Sequence, residues 1–309
     1  RSLAECGYRI YATEGTAAML RAINLAVEQV PKRLDEGHPN VVDVIREGLV
    51  DVVINTPQGG QAATPRDGFQ IRRAAAERGI PCFTSIDTAA AAPDPAARLD
   101  LPGIGSWSRE DEVITFVNRN LEPYRGFHVF MRALPELLRR RPDAQILICG
   151  DEGVSYGVAP RSGGTWKDVL TAEVRDRIPD ADWARVHFTG RIPHDAFRRM
   201  LQVSRVHLYL TYPFVLSWSL LEAMSTGCAV VGSATQPVKE VIADGETGVL
   251  FDFFDGAAMV DAVCRLCDDA PLRARLGRAA RDLVVARYDL ATICLPAQFR
   301  WIETLVADR

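Results

Sequence analysis

Six short apolar runs in the carboxy-terminal two thirds of the chain constrain its fold more than any other feature. In order they are VITFV, AQILICG, RVHFTG, VHLYLTY, CAVVGS and GVLFDF, and segments with helical periodicity separate them, such as FHVFMRALPELLRRR and HDAFRRMLQVS. Apolar strands that alternate with amphipathic helices are typical of a parallel sheet with helices on both faces. This part of the chain is therefore predicted to form a doubly wound α/β domain.

The amino-terminal part repeats this alternation on a smaller scale. The β runs YRIYA, VDVVINT and CFTSI are interleaved with the helical stretches GTAAMLRAI, VVDVIREG and DGFQIRRAAAERG, which predicts a small βα sandwich with a parallel sheet. Between the two parts lies AAAAPDPAARLD, which is rich in Ala and Pro and lacks periodicity, as linkers do. In a chain of 309 residues we therefore predict a domain at 1–90, a linker at 91–100 and a second domain at 101–309.

Composition excludes several classes of protein. The formal net charge of −4 argues against a nucleic-acid-binding protein, in which a basic face is expected. No apolar run reaches the roughly 18 residues of a spanning helix, and no signal peptide is recognisable, so no transmembrane segment is expected. The seven cysteines are scattered and odd in number, which favours a cytoplasmic location. Cys264 and Cys267 form a C-x-x-C without a second pair at zinc spacing, and they are expected to pack in the core.

The loop that follows VHLYLTY is the strongest candidate for an anion site. The helical pattern SLLEAM comes after this loop, so a helix begins just beyond a buried strand, where unpaired N–H groups and the helix dipole favour a pyrophosphate. Glu222, near the start of the helix, is placed to accept hydrogen bonds from ribose hydroxyls. Ser219 and Glu222 also have the spacing of a capping box, which satisfies helix N–H groups without a ligand, so both interpretations stay open.

Ligands of doubly wound sheets bind beyond the carboxyl ends of the strands. The residues predicted to lie at such ends are Arg119, Gly150, Arg191 and Phe214. Gly150 suits a close backbone approach and Arg191 is expected near a nucleotide base, although both also fit ordinary turns. Among the histidines, His187 and His207 fall within strand patterns and are expected to be packing residues, whereas His194 is expected to begin a helix.

The segment from Thr211 to Leu250, together with NRNLEPYRG at Asn118–Gly126, resembles the carboxy-terminal, donor-binding domain of family 4 retaining glycosyltransferases of the GT-B fold. The resemblance extends over roughly residues 95 to 309. It implies a nucleotide-diphosphate sugar as donor substrate, with no cofactor and no metal. It also implies that Arg119 and Arg125 stabilise the departing diphosphate and that Glu222 holds the donor ribose.

The chain departs from this family pattern at one acid. Phe214 stands eight positions before Glu222, where the family has a carboxylate that contacts the transferred sugar. Either the backbone N–H groups of Val215 and Leu216 serve the sugar together with nearby hydroxyls, or the first acid is dispensable. The predicted donor-binding set is therefore Gly150, Arg191, Phe214, Val215, Leu216, Ser219 and Glu222, with the sugar and the acceptor unassigned.

Residues 7–89 are similar to the methylglyoxal-synthase-like regulatory domain of the carbamoyl-phosphate synthase large subunit. The string ATEGT forms a strand-to-helix turn, and the resemblance implies a phosphate site for a nucleotide monophosphate effector. Its residues would be Thr13, Gly15, Thr16, Lys32, Arg33 and Asn55. The strand that opens this domain in the family is not recognisable and Pro57 donates no hydrogen bond, while simple helix capping remains an alternative for the turn.

We therefore predict an α/β protein with two Rossmann-like domains, a small methylglyoxal-synthase-like βα sandwich followed by a GT-B carboxy-terminal doubly wound domain. The predicted function is retaining glycosyl transfer from a nucleotide sugar to an unknown acceptor. The alternative is a regulatory nucleotide-monophosphate-binding module without catalysis. Because two families share one chain and no acceptor domain is recognisable, we expect an incomplete or joined sequence that is inactive alone.

Overall fold

The structure is a computed structural model, and it describes residues 8–31, 37–51, 53–54, 71, 73–75, 77–78, 80, 82–83, 91–155, 157–213, 216–298 and 300. The chain divides into two compact units. The first unit comprises residues 1–86 and 302–309, and the second comprises residues 87–301. Each unit has α/β secondary structure, as the alternation of apolar and helical patterns predicts.

The first unit consists of short strands and helices. In chain order they are β1 (Tyr11–Ala12), α1 (Glu14–Ala22), β2 (Glu28–Gln29), α2 (Val41–Arg46), β3 (Val53–Ile54) and β4 (Cys82–Phe83). β1 pairs in parallel with β2, and β3 pairs in parallel with β4. Asn40 caps α2, and Val42 and Ile45 of that helix pack against Val53 of β3 and Ala75. The predicted parallel βα arrangement is confirmed.

The second unit begins with a hairpin of β5 (Arg98–Leu101) and β6 (Gly105–Ser108), which pair antiparallel. Its strands continue with β7 (Val113–Asn120), β8 (Gln145–Asp151), β9 (Val186–Gly190), β10 (Val206–Tyr209), β11 (Ala229–Ser233) and β12 (Val249–Phe251). The helices are α3 (Phe127–Arg140), α4 (Trp166–Arg175), α5 (Asp180–Trp183), α6 (His194–Val203), α7 (Trp218–Ser225), α8 (Gln236–Lys239), α9 (Gly256–Asp268) and α10 (Ala270–Tyr288). A π-helical turn, Leu290–Cys294, follows α10.

The order of the strands in the sheet is β12-β11-β10-β7-β8-β9, and all neighbours are parallel. The chain starts in the middle of the sheet at β7, builds outward to β9, then returns to the other side of β7 with β10. This is the order of a doubly wound sheet, which confirms the sequence prediction. Its switch point lies between β7 and β10, which pair through Val206↔Ile114 and Leu208↔Phe116. Ligands of such sheets bind at the carboxyl side of this point.

The residues at the predicted domain boundary lie beside the second unit's own helices. Gln202 of α6 donates to the carbonyl of Ala92 at 2.7 Å, and β5 begins at Arg98, near the end of the predicted 91–100 linker. The division into compact units falls between residues 86 and 87. The predicted linker 91–100 thus includes the start of β5 and a residue bonded to α6.

In the core of the second unit, α3 and α9 pack on one face of the sheet. The ring of Phe116 on β7 stacks on Phe130 of α3, with centroids 4.6 Å apart. Cys264 and Cys267 of α9 are buried in this core, and burial raises the pKa of Cys267 to about 12, so the predicted packing role of this pair is confirmed. None of the helices in the described part of the chain is long and apolar enough to span a bilayer.

Candidate functional site

Two loops meet at the switch point of the six-stranded sheet, one after β7 and one after β10. The backbone N–H of Tyr212 donates to the carbonyl of Tyr124 at 3.0 Å, which joins the loops. The guanidinium of Arg125 donates from Nη1 to Thr211 Oγ1 at 2.9 Å, and both residues are buried. The two loops therefore form one hydrogen-bonded floor at the carboxyl edge of the sheet.

A glycine allows this close approach of the loops. Gly126 has a φ of 72°, which favours glycine, and a Cβ at this position would lie 2.3 Å from the Cβ of Leu210. Asn118 completes the turn, because its Nδ2 donates to the carbonyl of Arg125 at 3.2 Å. The sequence predicts Arg125 at this edge, but only the structure shows its guanidinium holding the neighbouring loop.

Arg119 differs from Arg125 although both follow the same strand. Its side chain is exposed near the end of β7, and within the described part of the chain no hydrogen bond or ion pair holds its guanidinium. Arg125 is only 8% exposed. Of the two arginines predicted to face a diphosphate, Arg119 is thus exposed and Arg125 is largely buried.

The loop after β10 ends at the amino terminus of α7. Ser217 is the N-cap and accepts from the N–H of Ser219, while its own N–H donates to the hydroxyl of Tyr209 at 2.8 Å. The first turn of α7 contains no acidic residue. Because no side-chain charge offsets the positive end of its dipole, this helix terminus favours an anion.

The predicted capping box of Ser219 with Glu222 is wrong. The helix begins at Trp218, so Ser219 is already inside the first turn and its hydroxyl contacts that of Ser217 at 3.0 Å. Glu222 does not return to the N-cap backbone. Its carboxylate instead lies 2.6 Å from Nε2 of His194, measured at Oε1.

Glu222 is a buried carboxylate with an unusual environment. It is 7% exposed, and burial raises its pKa, an effect that His194 and then Arg198 partly oppose. His194 is the first residue of α6 and directly follows the loop at the carboxyl end of β9. Sequence reasoning predicts that His194 begins a helix, which is confirmed, but it misses the pairing with Glu222. The available signal is its position just past a strand end.

Gly150 and Arg191 also lie where the sequence predicts them, at the carboxyl ends of β8 and β9. A Cβ on Gly150 would lie 2.8 Å from the carbonyl oxygen of Asn118, so the packing of β8 on β7 requires glycine. Arg191 is exposed, and its Nη1 is 3.9 Å from Asp151 Oδ2. Leu216 is partly buried against the apolar cluster around α7, whereas the predicted donor residues Phe214 and Val215 lie outside the described residues.

Glu122 is a buried acid of this edge that sequence reasoning misses. It is 1% exposed and accepts from the backbone N–H of Gly157 at 3.0 Å and of Ser155 at 3.3 Å. The carboxylate therefore anchors the loop after β8 to the loop after β7. In the sequence Glu122 stands directly before the PYRG string. Nothing in its spacing distinguishes it from a solvated loop residue, so its burial is not predicted.

Some of the predicted effector residues lie in the part of the chain that the structure describes, and others lie outside it. Thr13, Gly15 and Thr16 lie at the turn between β1 and α1, as predicted. Thr13 is the N-cap, but its side chain makes no capping hydrogen bond, so side-chain capping by Thr13 is not observed. A Cβ on Gly15 would meet no atom within 4 Å. Lys32, Arg33 and Asn55 lie outside the residues that the structure describes.

Among the described residues, no group of three or more His, Cys, Asp or Glu side chains could hold a metal ion. Cys149, Cys228, Cys264 and Cys267 are buried, and Cys294 is partly buried.

Comparison with known proteins assigns the first unit to a domain family. Residues 1–84 match the family model of the MGS-like domain. The carbamoyl phosphate synthase large chain of Thermomicrobium roseum is 54% identical over 91 residues, which are 29% of this chain and 8% of that protein. This chain thus covers less than a tenth of the length of that relative.

The chain is similar to solved glycosyltransferases. The carboxy-terminal domain of the glycosyl transferase group 1 family protein LpcC from Francisella tularensis is 18% identical, with a TM-score of 0.54, and covers 66% of this chain and 99% of its own. The HepE protein of Anabaena in complex with UDP is 14% identical, with a TM-score of 0.58, covering 96% of this chain and 92% of its own. At these identities the likeness shows the fold, which is the predicted GT-B type. Residues 103–283 match the family model of glycosyl transferases group 1, and the chain therefore belongs to this glycosyltransferase family.

Proposed function

We propose that the second unit binds a nucleotide-diphosphate sugar and transfers its glycosyl group with retention of configuration, as family 4 enzymes do. The observation that carries this proposal is the switch point of the sheet. There the uncompensated amino terminus of α7 and the exposed Arg119 lie at one carboxyl edge with the buried Glu222. A diphosphate can bind both the helix terminus and Arg119, and a ribose hydroxyl can donate to the carboxylate of Glu222.

The charges at this edge suit the departure of a nucleoside diphosphate. When the bond between the sugar carbon and the diphosphate oxygen breaks, negative charge grows on the leaving group. Arg119 and the N–H groups of α7 stabilise that charge electrostatically, and the N–H groups do so strongly because the helix holds them in place before reaction. Arg125 supports the same step by holding Thr211 and the loop in front of α7.

With phenylalanine at position 214, the backbone N–H groups of Val215 and Leu216 and the hydroxyl of Ser219 take the place of a carboxylate. Because the HepE structure contains UDP, UDP is the first nucleotide to test on this chain. A cytoplasmic location and the absence of a metal requirement stay predictions from the sequence.

The test is calorimetric titration of UDP and GDP, with UMP and IMP as controls, into the wild type, Arg119→Ala and Arg278→Ala. Arg278 is an exposed arginine of α10 and serves as the matched control. We expect a diphosphate to bind the wild type and Arg278→Ala equally, and Arg119→Ala about tenfold or more weakly, because a charged hydrogen bond contributes about 1.5–3 kcal/mol. Absence of diphosphate binding by the wild type contradicts the proposal.

A second candidate function concerns the first unit, namely binding of a nucleotide monophosphate at the start of α1. It is favoured because the Thr13 hydroxyl makes no capping bond and the space around Gly15 is open, which leaves the helix N–H groups accessible to a phosphate. Saturable binding of IMP or UMP that Thr16→Ala weakens, with UDP binding unaffected, supports this role. If the wild type and Thr16→Ala bind the monophosphate with equal affinity, this role is excluded.

A further inference from the structure

His194 and Glu222 form an isolated pair at the carboxyl edge of the sheet. Nε2 of His194 lies 2.6 Å from Oε1 of Glu222, and the side chain of Glu222 is 9% exposed whereas the side chain of His194 is 50% exposed. Within the part of the chain that the structure describes, no residue forms a hydrogen bond with the second oxygen, Oε2. Oε1 of the buried Glu222 is thus held by His194, and Oε2 can still accept a hydrogen bond.

The imidazole is itself held by its helix. His194 begins α6, its ring centroid lies 5.9 Å from that of Phe197, and Arg198 follows one turn later. A ring that is fixed at the start of a helix presents its N–H in one direction. Neutral histidine with the proton on Nε2 and protonated histidine both donate to Oε1.

Burial of an acid with a single partner is unfavourable for the folded protein. Desolvation opposes the charged carboxylate, and one hydrogen bond from His194 only partly offsets it. A core that needed only stability would contain an apolar residue here, since the neighbours Leu221 and Ala223 on α7 are already buried. Carboxylates with perturbed pKa values cluster at functional sites.

We propose that His194 is a positioning residue for the donor ribose: its Nε2–H fixes Oε1 of Glu222 and so directs Oε2 to accept from a ribose hydroxyl. The inference rests on the proposed function, because it assumes that a nucleotide occupies this edge. It adds that recognition of the ribose depends on α6 as well as on α7. Ribose recognition then requires two residues that are 28 positions apart in the sequence.

A merely structural role for His194 has a different consequence. If the histidine only compensates a buried charge, its removal lowers stability and weakens every ligand of the site to the same extent. If it positions Oε2, its removal weakens only ligands that carry ribose hydroxyls. Comparison of UDP with 2′,3′-dideoxy-UDP separates the two roles, because the diphosphate and base are identical.

The experiment titrates both nucleotides into the wild type, His194→Ala, His194→Gln and Glu222→Gln. We expect the wild type to bind UDP about tenfold more tightly than the dideoxy analogue, because one charged hydrogen bond contributes about 1.4 kcal/mol or more. His194→Ala should lose this preference and bind the analogue as the wild type does. His194→Gln retains an N–H donor and should recover part of the preference, and it provides a folded variant if the alanine protein unfolds.

The outcomes separate the two proposals. If the wild type binds neither UDP nor GDP, the proposed function fails, and the inference fails with it. If the wild type prefers UDP and His194→Ala keeps the same preference, the inference is overturned while the proposed function stands. The same holds if the wild type binds UDP and its dideoxy analogue equally. Where GDP binds better than UDP, the corresponding guanosine pair replaces the uridine pair.

Discussion

Charged residues have different sets of partners at the two ends of the six-stranded sheet. At the amino end, Glu112 precedes β7 and is bound by two arginines, Arg141 with Nη2 at 2.5 Å and Arg205 with Nη1 at 3.3 Å. At the carboxyl end, Glu222 has the single partner His194 and Arg119 is exposed. Both acids are buried, yet only the one at the amino end has a full set of cationic partners.

This difference teaches how one sheet separates stability from binding. At the amino end, Arg141 also donates from Nη1 to Asp268, so a network of charges ties the start of β7 to α3 and α9. A buried acid that is fully compensated contributes to stability and has no capacity left for a ligand. At the carboxyl end, Glu222 keeps the capacity to accept a hydrogen bond from a ligand, and the folded protein is less stable as a result.

The largest expected effect comes from breaking the network at the amino end. Arg141→Met should lower the free energy of unfolding by about 3–5 kcal/mol, because it leaves the buried Glu112 without its closest partner. Urea denaturation measures this change. Arg139→Met, which removes an exposed pair with Glu136, is the control and should cost less than about 1 kcal/mol. Equal losses in the two variants would contradict the distinction between buried and exposed pairs.

A buried histidine between the two ends should make the protein sensitive to acid. His207 on β10 is fully buried, accepts or donates at Nδ1 with Thr115 at 2.9 Å, and burial lowers its pKa to about 3. The unfolded chain has an ordinary histidine pKa near 6.5 and therefore binds the proton first. Stability should then fall as pH decreases from about 6.5 toward 3, with a slope of about 1.4 kcal/mol per pH unit.

The variant His207→Leu tests this origin of acid sensitivity. It removes the titrating group, while Thr115 keeps its 2.8 Å hydrogen bond with Ser204. Urea denaturation between pH 7 and about 4.5 should show a smaller slope for the variant than for the wild type. His187, whose pKa burial also lowers, contributes a smaller part, which His187→Gln measures. An unchanged slope in His207→Leu would assign the acid sensitivity to other groups.

A smaller effect of opposite sign is expected at the carboxyl end. Because burial raises the pKa of Glu222, the ionised form is disfavoured in the folded state, and its contribution to stability is lost as pH rises through the unfolded and then the folded pKa. Glu222→Gln should therefore raise the melting temperature at pH 7, by about 2–4 °C per kcal/mol gained. A lower melting temperature would mean that the pair with His194 stabilises the protein more than burial costs.

The smallest expected effect on stability is that of Arg119→Ala. The side chain is exposed and unpaired among the described residues, so the free energy of unfolding should change by less than about 0.5 kcal/mol. The same protein should show the large loss of diphosphate affinity described above. A measurable loss of stability would show that Arg119 belongs to the structural set of charges and would weaken the contrast between the two ends of the sheet.

Much of the site could be predicted from residues that lie within one local pattern. The strand-loop-helix sequence around SLLEAM predicts an anion-favouring helix terminus, and α7 does begin in that loop. The capping box that the spacing of Ser219 and Glu222 allows does not form, because hydroxyls two positions apart are equivalent in a pattern. The structure distinguishes them, since the side chain of Ser217 accepts from the N–H of Ser219 and is the N-cap.

By itself the sequence determined that the chain is α/β, that it has two domains and that the second is doubly wound, and it predicts that the functional groups lie at strand ends. Periodicity is sufficient for these conclusions, because it reports which face of each element is buried. Only the tertiary structure decided that Arg125 bonds Thr211, 86 positions away, and that His194 bonds Glu222. These pairs depend on the order of the strands in the sheet, which brings distant loops to one edge, and periodicity within a single element contains no information on that order.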